Sequence, residues 1–363
     1  AALFSVATIM TVTLGFRRYL GRNGALIAGV LFLISPYMLF YGRYTRNEAF
    51  VAFWGVVTLL AVLRYLENGK KRWLYILTAV TALQFATKET AFIYTAQLLL
   101  FLAILFMSRS VRFPWPEARK HFLFNLALAV ALFVLVLAIV LAGWNAIANR
   151  SGAPAETSGV SPVQIIEAGL ALVAVILGGI AGVILLREVG WEFLKQERSL
   201  DMLLLIGTLI LPQLTAFPVK IIGVLLGQNW NPLDYSSVGI LRSGIVLFVL
   251  TLIALGIGLV WKPRLWLANF ALFYGIFTVL YTTVFTNGFG FFTGIVGSLG
   301  YWLEQQGVNR GTQPWYYYAF LQIPMYEYVA ALGTLLAIYF GWRYRRFSQF
   351  VGDSPVAEKA LSS

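Results

Sequence analysis

Three short polar clusters interrupt a chain that is otherwise apolar enough to lie in lipid. Charged groups at a membrane boundary are costly unless they are paired or hydrated, so they often mark a site. The ionic members are Arg43, Arg46, Glu48, Lys88, Glu89 and Arg310. Arg and Lys hold phosphate by charge-assisted hydrogen bonds, and a carboxylate among them could hold a divalent metal or orient an acceptor. The clusters therefore favour an anionic lipid headgroup as the ligand.

The third cluster adds aromatic side chains to its cation. After Arg310 the chain continues with Gln313, Pro314, Trp315, Tyr316, Tyr317 and Tyr318. The faces of Trp and Tyr suit sugars or acyl chains because their rings combine a large apolar surface with a polar edge. This cluster is therefore predicted to line a substrate pocket.

Each cluster also has a plainer interpretation. Arg43 and Arg46 could be interface anchors with Glu48 as their counter-ion, because Arg side chains often snorkel. Lys88 and Glu89 could form a helix-end salt bridge, which contributes little when exposed. An aromatic belt explains the Trp and Tyr residues of the third cluster, but not its Arg and Gln.

The composition is that of a membrane protein. Of the 363 residues, 60% are hydrophobic and 12% are charged, which is outside the range of soluble domains. The apolar runs are continuous rather than alternating, which excludes a β-barrel. There are no cysteines and one histidine, His121, which excludes disulfides and multi-histidine metal sites within this chain. The net charge of +12 comes from short loops between apolar runs, so it predicts topology and needs no nucleic-acid partner.

The sequence predicts an all-α, polytopic integral membrane protein with about eleven transmembrane helices, since about 20 apolar residues span a bilayer. The predicted spans are 2–16, 24–41, 49–66, 73–87, 90–107, 122–144, 164–186, 202–219, 241–261, 266–285 and 325–342. Several spans, notably 73–87, are short for a hydrocarbon core of about 30 Å, which implies tilting or local thinning.

Basic residues sort the loops between these spans into two alternating sets. One set, which includes the loops around Lys70, Arg198 and Lys262, holds 20 of the 27 Lys and Arg residues, and the positive-inside rule places it in the cytoplasm. The three polar clusters then lie at the outer face of the cell membrane. Segment 1–346 is predicted to be one membrane-embedded domain and 347–363 a disordered cytoplasmic tail. On the outer face, 291–306 is apolar enough to lie on the membrane surface as a helix.

The chain resembles the multi-spanning GT-C glycosyltransferases, in the branch of dolichyl-phosphate-mannose protein mannosyltransferases and aminoarabinose transferases. The segments that carry the resemblance are Ser35-Pro36 with 41–48, then 87–89, then 313–318 with Pro324 and Tyr326-Glu327. Within this branch the chain most resembles a prokaryotic subfamily labelled flippase-activity-associated, which is linked to archaeal protein N-glycosylation. The similarity extends over essentially the whole chain.

This resemblance implies a polyprenyl-phosphate-linked sugar donor and inverting transfer to a protein or lipid acceptor at the outer face. Lys88 and Arg310 would hold the donor phosphate, with Arg43, Arg46, Glu89 and Gln313 in the same binding site. Trp315, Tyr316 and Tyr317 would line the lipid or sugar pocket. Glu48 matches a position that helps bind a divalent cation, Mg²⁺ or Mn²⁺.

The family's general base is an acidic residue on the first outer loop, before the span with which this chain begins. We therefore expect the catalytic acid to lie outside these 363 residues, and the catalytic residue stays unassigned. Asp234, Glu304 and Glu327 are predicted to face the same side, but nothing else in the sequence recommends any of them as the base.

Two other functions remain open at this stage. One is a non-catalytic factor that assists translocation of lipid-linked sugars, as the subfamily label suggests. The other is a secondary transporter, which is less favoured because transporters place their polar residues at mid-bilayer in broken helices. Pro212 and Gln213, inside the predicted span 202–219, are the one such hint.

Overall fold

A computed structural model describes residues 1–44, 46–113, 115–148, 162–228, 230–305, 313 and 315–344. Within these ranges every regular element is a helix, which confirms the all-α class. Two predicted features, Arg310 and the tail 347–363, lie outside the described residues.

Eighteen α-helices are described, some of them joined by short π- or 3₁₀-helical turns. They are α1 Ala2–Met10, α2 Arg17–Ile34, α3 Pro36–Arg43, α4 Glu48–Asn68, α5 Arg72–Thr87, α6 Ala91–Ser110, α7 Ala118–Ala148, α8 Pro162–Val189, α9 Trp191–Leu194, α10 Arg198–Ile210, α11 Ala216–Leu225, α12 Ser237–Trp261, α13 Pro263–Tyr281, α14 Gly290–Phe292, α15 Ser298–Gln305, α16 Trp315–Tyr317, α17 Ile323–Tyr326 and α18 Tyr328–Arg343. The π-helical turns are Thr11–Gly15, Thr293–Gly297 and Tyr318–Gln322, and Leu211–Leu214 is 3₁₀.

Six of these helices are long and apolar enough to cross a membrane, and counting three bent helix pairs as spans raises the number to nine. The structure thus confirms a multi-pass protein, but not the eleven predicted spans. Two predicted spans fall short. α1 and its π-helical turn together cover only Ala2–Gly15, and α5 has 16 residues, or about 24 Å at 1.5 Å per residue. In α5, Leu74, Leu77 and Ala82 are fully buried, so this helix is apolar because it packs inside the protein.

The bend between α2 and α3 positions the first polar cluster. The Oγ of Ser35 accepts a hydrogen bond from the backbone N–H of Met38 at 3.3 Å, and Pro36 occupies the first helical position. Both residues favour a new helix start. The two helices meet at 58°, and α3 carries the chain toward Arg43.

The core is built around α5 and α13. Their buried polar side chains pair across the interface, since Thr78 Oγ1 donates to Asn269 Oδ1 at 2.8 Å. Trp266 of α13 is fully buried against Gly258 of α12, where a Cβ would meet the indole ring. This pairing and close packing hold the ends of α5 and α13 in fixed positions.

The outer segment predicted to lie on the membrane surface is instead part of this core. Ile295, Val296 and Leu299 are buried. A Cβ at Gly290 or Gly294 would collide with Tyr281, so these glycines let the segment pack directly against the end of α13. The glycines at 290 and 294 thus place apolar residues of this segment against protein, where the sequence had predicted a membrane-surface helix.

Candidate functional site

The first and second polar clusters meet at one place. Lys88 Nζ donates to Glu48 Oε1 at 2.8 Å, and Arg46 Nε lies 4.0 Å from the other oxygen of Glu48. The side chains of Lys88 and Glu48 are 34% and 15% exposed. Forty positions separate these two residues in sequence, so the fold creates this ion pair.

Tight local structure at the end of α5 holds Lys88. Its backbone is extended, with φ −164° and ψ 147°, which stops the helix at Thr87. Asn47 Nδ2 donates to the carbonyl of Thr87 at 3.0 Å, and Trp54 Nε1 donates to the Thr87 hydroxyl at 3.3 Å. Both donors flank or belong to α4, so the helix that carries Glu48 also fixes the turn that carries Lys88.

Lys88 lines a polar cleft of about 310 Å³. Thr87, Glu89, Tyr281 and Ser298 are also in its lining. The hydroxyl of Tyr281 donates to the carbonyl of Phe85 at 2.8 Å and lies 3.3 Å from Ser298 Oγ. We refer to this space as the Lys88 cleft.

Sequence reasoning missed Tyr281 and Ser298. Tyr281 ends an apolar helix, and Ser298 lies in an apolar stretch, so neither carried a local signal. They enter the site because α13 runs beside α5 and because the glycines at 290 and 294 let the next segment approach.

Glu48 keeps one acceptor atom. Its Oε2 accepts no hydrogen bond from the described residues, and the 4.0 Å to Arg46 is too long for one. Glu48 is also the first residue of α4, where the helix dipole stabilises a negative charge. The carboxylate therefore has one buried oxygen without a described hydrogen-bond donor, at a place where the helix dipole favours its negative charge.

These groups do not make a metal site by themselves. No cluster of three or more His, Cys, Asp or Glu side chains occurs in the described part of the chain. The ammonium of Lys88 already occupies Oε1 of Glu48 and would repel a cation placed there. A divalent cation would need most of its oxygen ligands from elsewhere.

The remaining predicted site residues lie apart from the Lys88 cleft or outside the description. Arg43 ends α3 with an exposed side chain. Gln313, Tyr316 and Tyr317 are exposed and are not among the described residues that line the cleft. Trp315 begins the three-residue helix α16. The assignment of these residues, and of Arg310, to the donor site stays a prediction.

A second cleft lies where the first and the last of the segments that carry the family resemblance, Ser35-Pro36 and Tyr326-Glu327, meet. Ser35 Oγ donates to Glu327 Oε1 at 2.6 Å, and the backbone N–H of Tyr37 donates to the same oxygen at 3.2 Å. The carboxylate thus caps the start of α3 and is the polar edge of a largely apolar cleft of about 390 Å³. Its walls include the apolar side chains of Leu31, Phe32, Ile34 and Met38. We refer to this space as the apolar cleft.

The comparison with known families reaches the part of the chain that holds the ion pair. Residues 1–142 match the family model of dolichyl-phosphate-mannose-protein mannosyltransferase. No curated protein and no solved structure matches the chain. The matched mannosyltransferase segment contains Glu48, Lys88 and Ser35, whereas Tyr281 and Glu327 lie beyond it. The family resemblance is therefore supported over 1–142, and the subfamily is not resolved.

Proposed function

We propose that this protein is a multi-pass membrane glycosyltransferase that takes a sugar from a polyprenyl-phosphate donor. The supporting observation is that the segment matching the mannosyltransferase family brings Lys88 and Glu48 together at the edge of a polar cleft. In this proposal the cleft opens at the outer face of the cell membrane, and transfer to a protein or lipid acceptor proceeds with inversion.

Lys88 is the phosphate-binding group in this proposal. An ammonium is a compact cation with three donors, and Glu48 uses one of them, which leaves two for phosphate oxygens. Glu48 is a positioning residue because it fixes the side chain of Lys88 at 2.8 Å. Tyr281 and Ser298 also line the cleft; the Tyr281 oxygen, which already donates its proton to Phe85, can accept from a sugar hydroxyl, and Ser298 can donate to the sugar or the phosphate.

The apolar cleft is the proposed seat of the polyprenyl chain. It lies at the N-terminal end of α3, and the Glu48–Lys88 pair follows the C-terminal end. The helix has eight residues, or about 12 Å at 1.5 Å per residue. A lipid phosphate bound at Lys88 could therefore run its chain along α3 into the apolar cleft.

A requirement for Mg²⁺ or Mn²⁺ stays a prediction. Mg²⁺ is commonly bound by one or two carboxylates together with substrate phosphates, and Glu48 is the carboxylate that the family resemblance assigns to this role. We derive no catalytic step through a metal, and the general base remains unassigned.

The test measures sugar transfer in cells that produce the unchanged protein or one of three single variants, Lys88→Ala, Glu48→Gln and Arg310→Ala. We expect each variant to reduce the glycan product, since each removes a group proposed at the donor site. Arg242→Gln is the matched control, because Arg242 lies on α12 over the ring of Trp230 and is not among the described residues that line the Lys88 cleft. Unchanged glycan profiles in all three variants, at normal protein levels, would show that the donor site is elsewhere.

A transport function is the second candidate, and one observation favours it. Gln213 is fully buried in the 3₁₀ turn between two helices that meet at 51°, and broken helices with polar groups are typical of transporter sites. Transfer of labelled sugar by the purified protein separates the two functions, because neither a transporter nor a translocation factor forms the glycosidic bond.

A further inference from the structure

A second polar cleft, which we call the basic cleft, lies at the opposite end of α5 from Lys88. Its volume is about 520 Å³. α5 has 16 residues, so about 24 Å separates the two clefts. The basic cleft is lined by side chains that include Asn68, Lys71, Lys195, Arg198, Asp201 and Lys262.

The one carboxylate among the described lining residues is already saturated. Both oxygens of Asp201 lie 2.7 Å from Lys262 Nζ. Tyr65 donates its hydroxyl to one oxygen at 2.6 Å, and the indole N–H of Trp261 donates to the other at 3.0 Å. Asp201 therefore neutralises Lys262. It does not act as a counter-ion for the other cations that line the cleft.

Arg198 is anchored so that part of its guanidinium group remains available. Its Nη1 donates to the carbonyls of Leu66 and Glu67, both at 2.8 Å. Its Nε and Nη2 bond to no described residue and lie beside Gly69, where a Cβ would be 3.0 Å from Nε. Gly69 has a φ of 63° as the C-cap of α4, which glycine adopts without strain. The glycine thus leaves one edge of the guanidinium uncovered.

The two lysines differ in how strongly they are held. Lys71 is exposed and makes no ion pair with a described residue. Lys195 pairs at 3.0 Å with Glu192, whose side chain is 84% exposed, so solvent screens this pair. Both ammonium groups can turn toward an anion in the cleft.

Helix ends of both signs border the basic cleft. α5, α10 and α13 begin at Arg72, Arg198 and Pro263, each beside a lining residue of the basic cleft. A helix N-terminus carries about half a positive charge. The C-terminal ends of α4, α9 and α12 also lie at or beside lining residues and carry the opposite partial charge, so the helix dipoles offset one another and the preference for an anion rests on the cationic side chains.

We propose that the basic cleft binds the phosphate group of an anionic ligand at the membrane end opposite the Lys88 cleft. Fixed donors on Arg198 and mobile ammonium groups on Lys71 and Lys195 match a phosphate better than a carboxylate, because they can reach three or more oxygens. The phosphate belongs either to a phospholipid headgroup or to a soluble phosphate compound. This proposal does not depend on the glycosyltransferase function.

The experiment measures binding to the purified full chain in detergent. Native mass spectrometry compares short-chain phosphatidylglycerol with phosphatidylcholine, and thermal unfolding is followed with and without inorganic phosphate. The test variant is K71Q/K195Q, and the control is K70Q/R264Q, which removes the same charge from exposed residues outside the cleft lining. Circular dichroism checks that both variants keep their helices.

We expect phosphatidylglycerol or inorganic phosphate to bind, and K71Q/K195Q to weaken that binding by about tenfold or more. K70Q/R264Q should stay within about twofold of the original chain, since exposed charges contribute little. Selective lipid binding without an effect of inorganic phosphate would identify a headgroup site, and the reverse would identify a soluble ligand. Equal losses in both variants, an unchanged test variant, or no binding at all would overturn the proposal.

Discussion

The ion pair between Glu48 and Lys88 gives the sharpest prediction, because its structural and functional roles can be separated by reversing it. At 2.8 Å and an effective dielectric constant of about 20, Coulomb's law gives about 6 kcal/mol of attraction. Desolvation offsets much of this, so we expect a net contribution of about 1–3 kcal/mol. Lys88→Met should lower stability by that amount, because it leaves the largely buried carboxylate of Glu48 without its cation.

The reverse pair, Glu48→Lys with Lys88→Glu, should recover part of that stability. Recovery will be partial, because Arg46, which lies 4.0 Å from the present carboxylate, would then face a cation. Sugar transfer should not recover, since a carboxylate would face the donor phosphate. Loss of one charge-assisted contact to phosphate predicts a reduction of about ten- to a hundredfold.

Two measurements check these expectations. Thermal unfolding in detergent reports stability, and transfer of labelled sugar from the lipid donor reports activity. A reversed pair that transfers sugar at the original rate would refute the phosphate-binding role of Lys88. A reversed pair that stays as unstable as Lys88→Met would refute the Coulombic account of the pair.

Three further changes test the packing that positions the sites. Val284, a β-branched residue, has a left-handed backbone with a φ of 56° and is 67% exposed. Val284→Gly should therefore raise the stability measured by thermal unfolding by about 1 kcal/mol, because glycine adopts this backbone without strain, and a lower stability would contradict this. Asp201→Asn should lower stability by about 3 kcal/mol, since Lys262 loses its counter-ion, and an unchanged midpoint would show that Lys262 finds another partner. Gly294→Val should reduce activity and helix packing together, because its side chain would overlap the Tyr281 ring; normal activity at normal protein levels would exclude Tyr281 from the site.

The topology predicted from charge agrees with how the structure groups the loops. Arg198 bonds to carbonyls at the end of α4, and Lys262 pairs with Asp201 of α10, which joins three loops of the predicted cytoplasmic set. At the other end, Glu48 pairs with Lys88, which joins two loops of the predicted outer set. The charge of the loops predicted this division because the positive-inside rule depends on the Lys and Arg content of each short loop, which can be read from the sequence. It is the absolute orientation that stays a prediction.

The sequence was less informative about which apolar helices face lipid. Hydropathy predicts that α5 is a span because residues such as Leu74 and Leu77 are apolar. A helix that is buried inside the protein has the same apolar composition. Length and burial decide between the two, and burial depends on neighbours that are distant in sequence. The same ambiguity placed the segment around Val296 on the membrane surface, where the structure packs it in the core.

The sequence by itself determined the helical membrane class and the small set of ionic residues at its polar boundaries, because composition and hydrophobic runs are local properties. Tertiary structure alone decided which of those charges meet. Glu48 and Lys88 are brought together by α4 and α5, and Ser35 and Glu327 by segments almost at opposite ends of the chain. Tyr281 and Ser298 joined the cleft without any local signal. Contacts across such separations follow from helix packing, and no pattern of neighbouring residues records them.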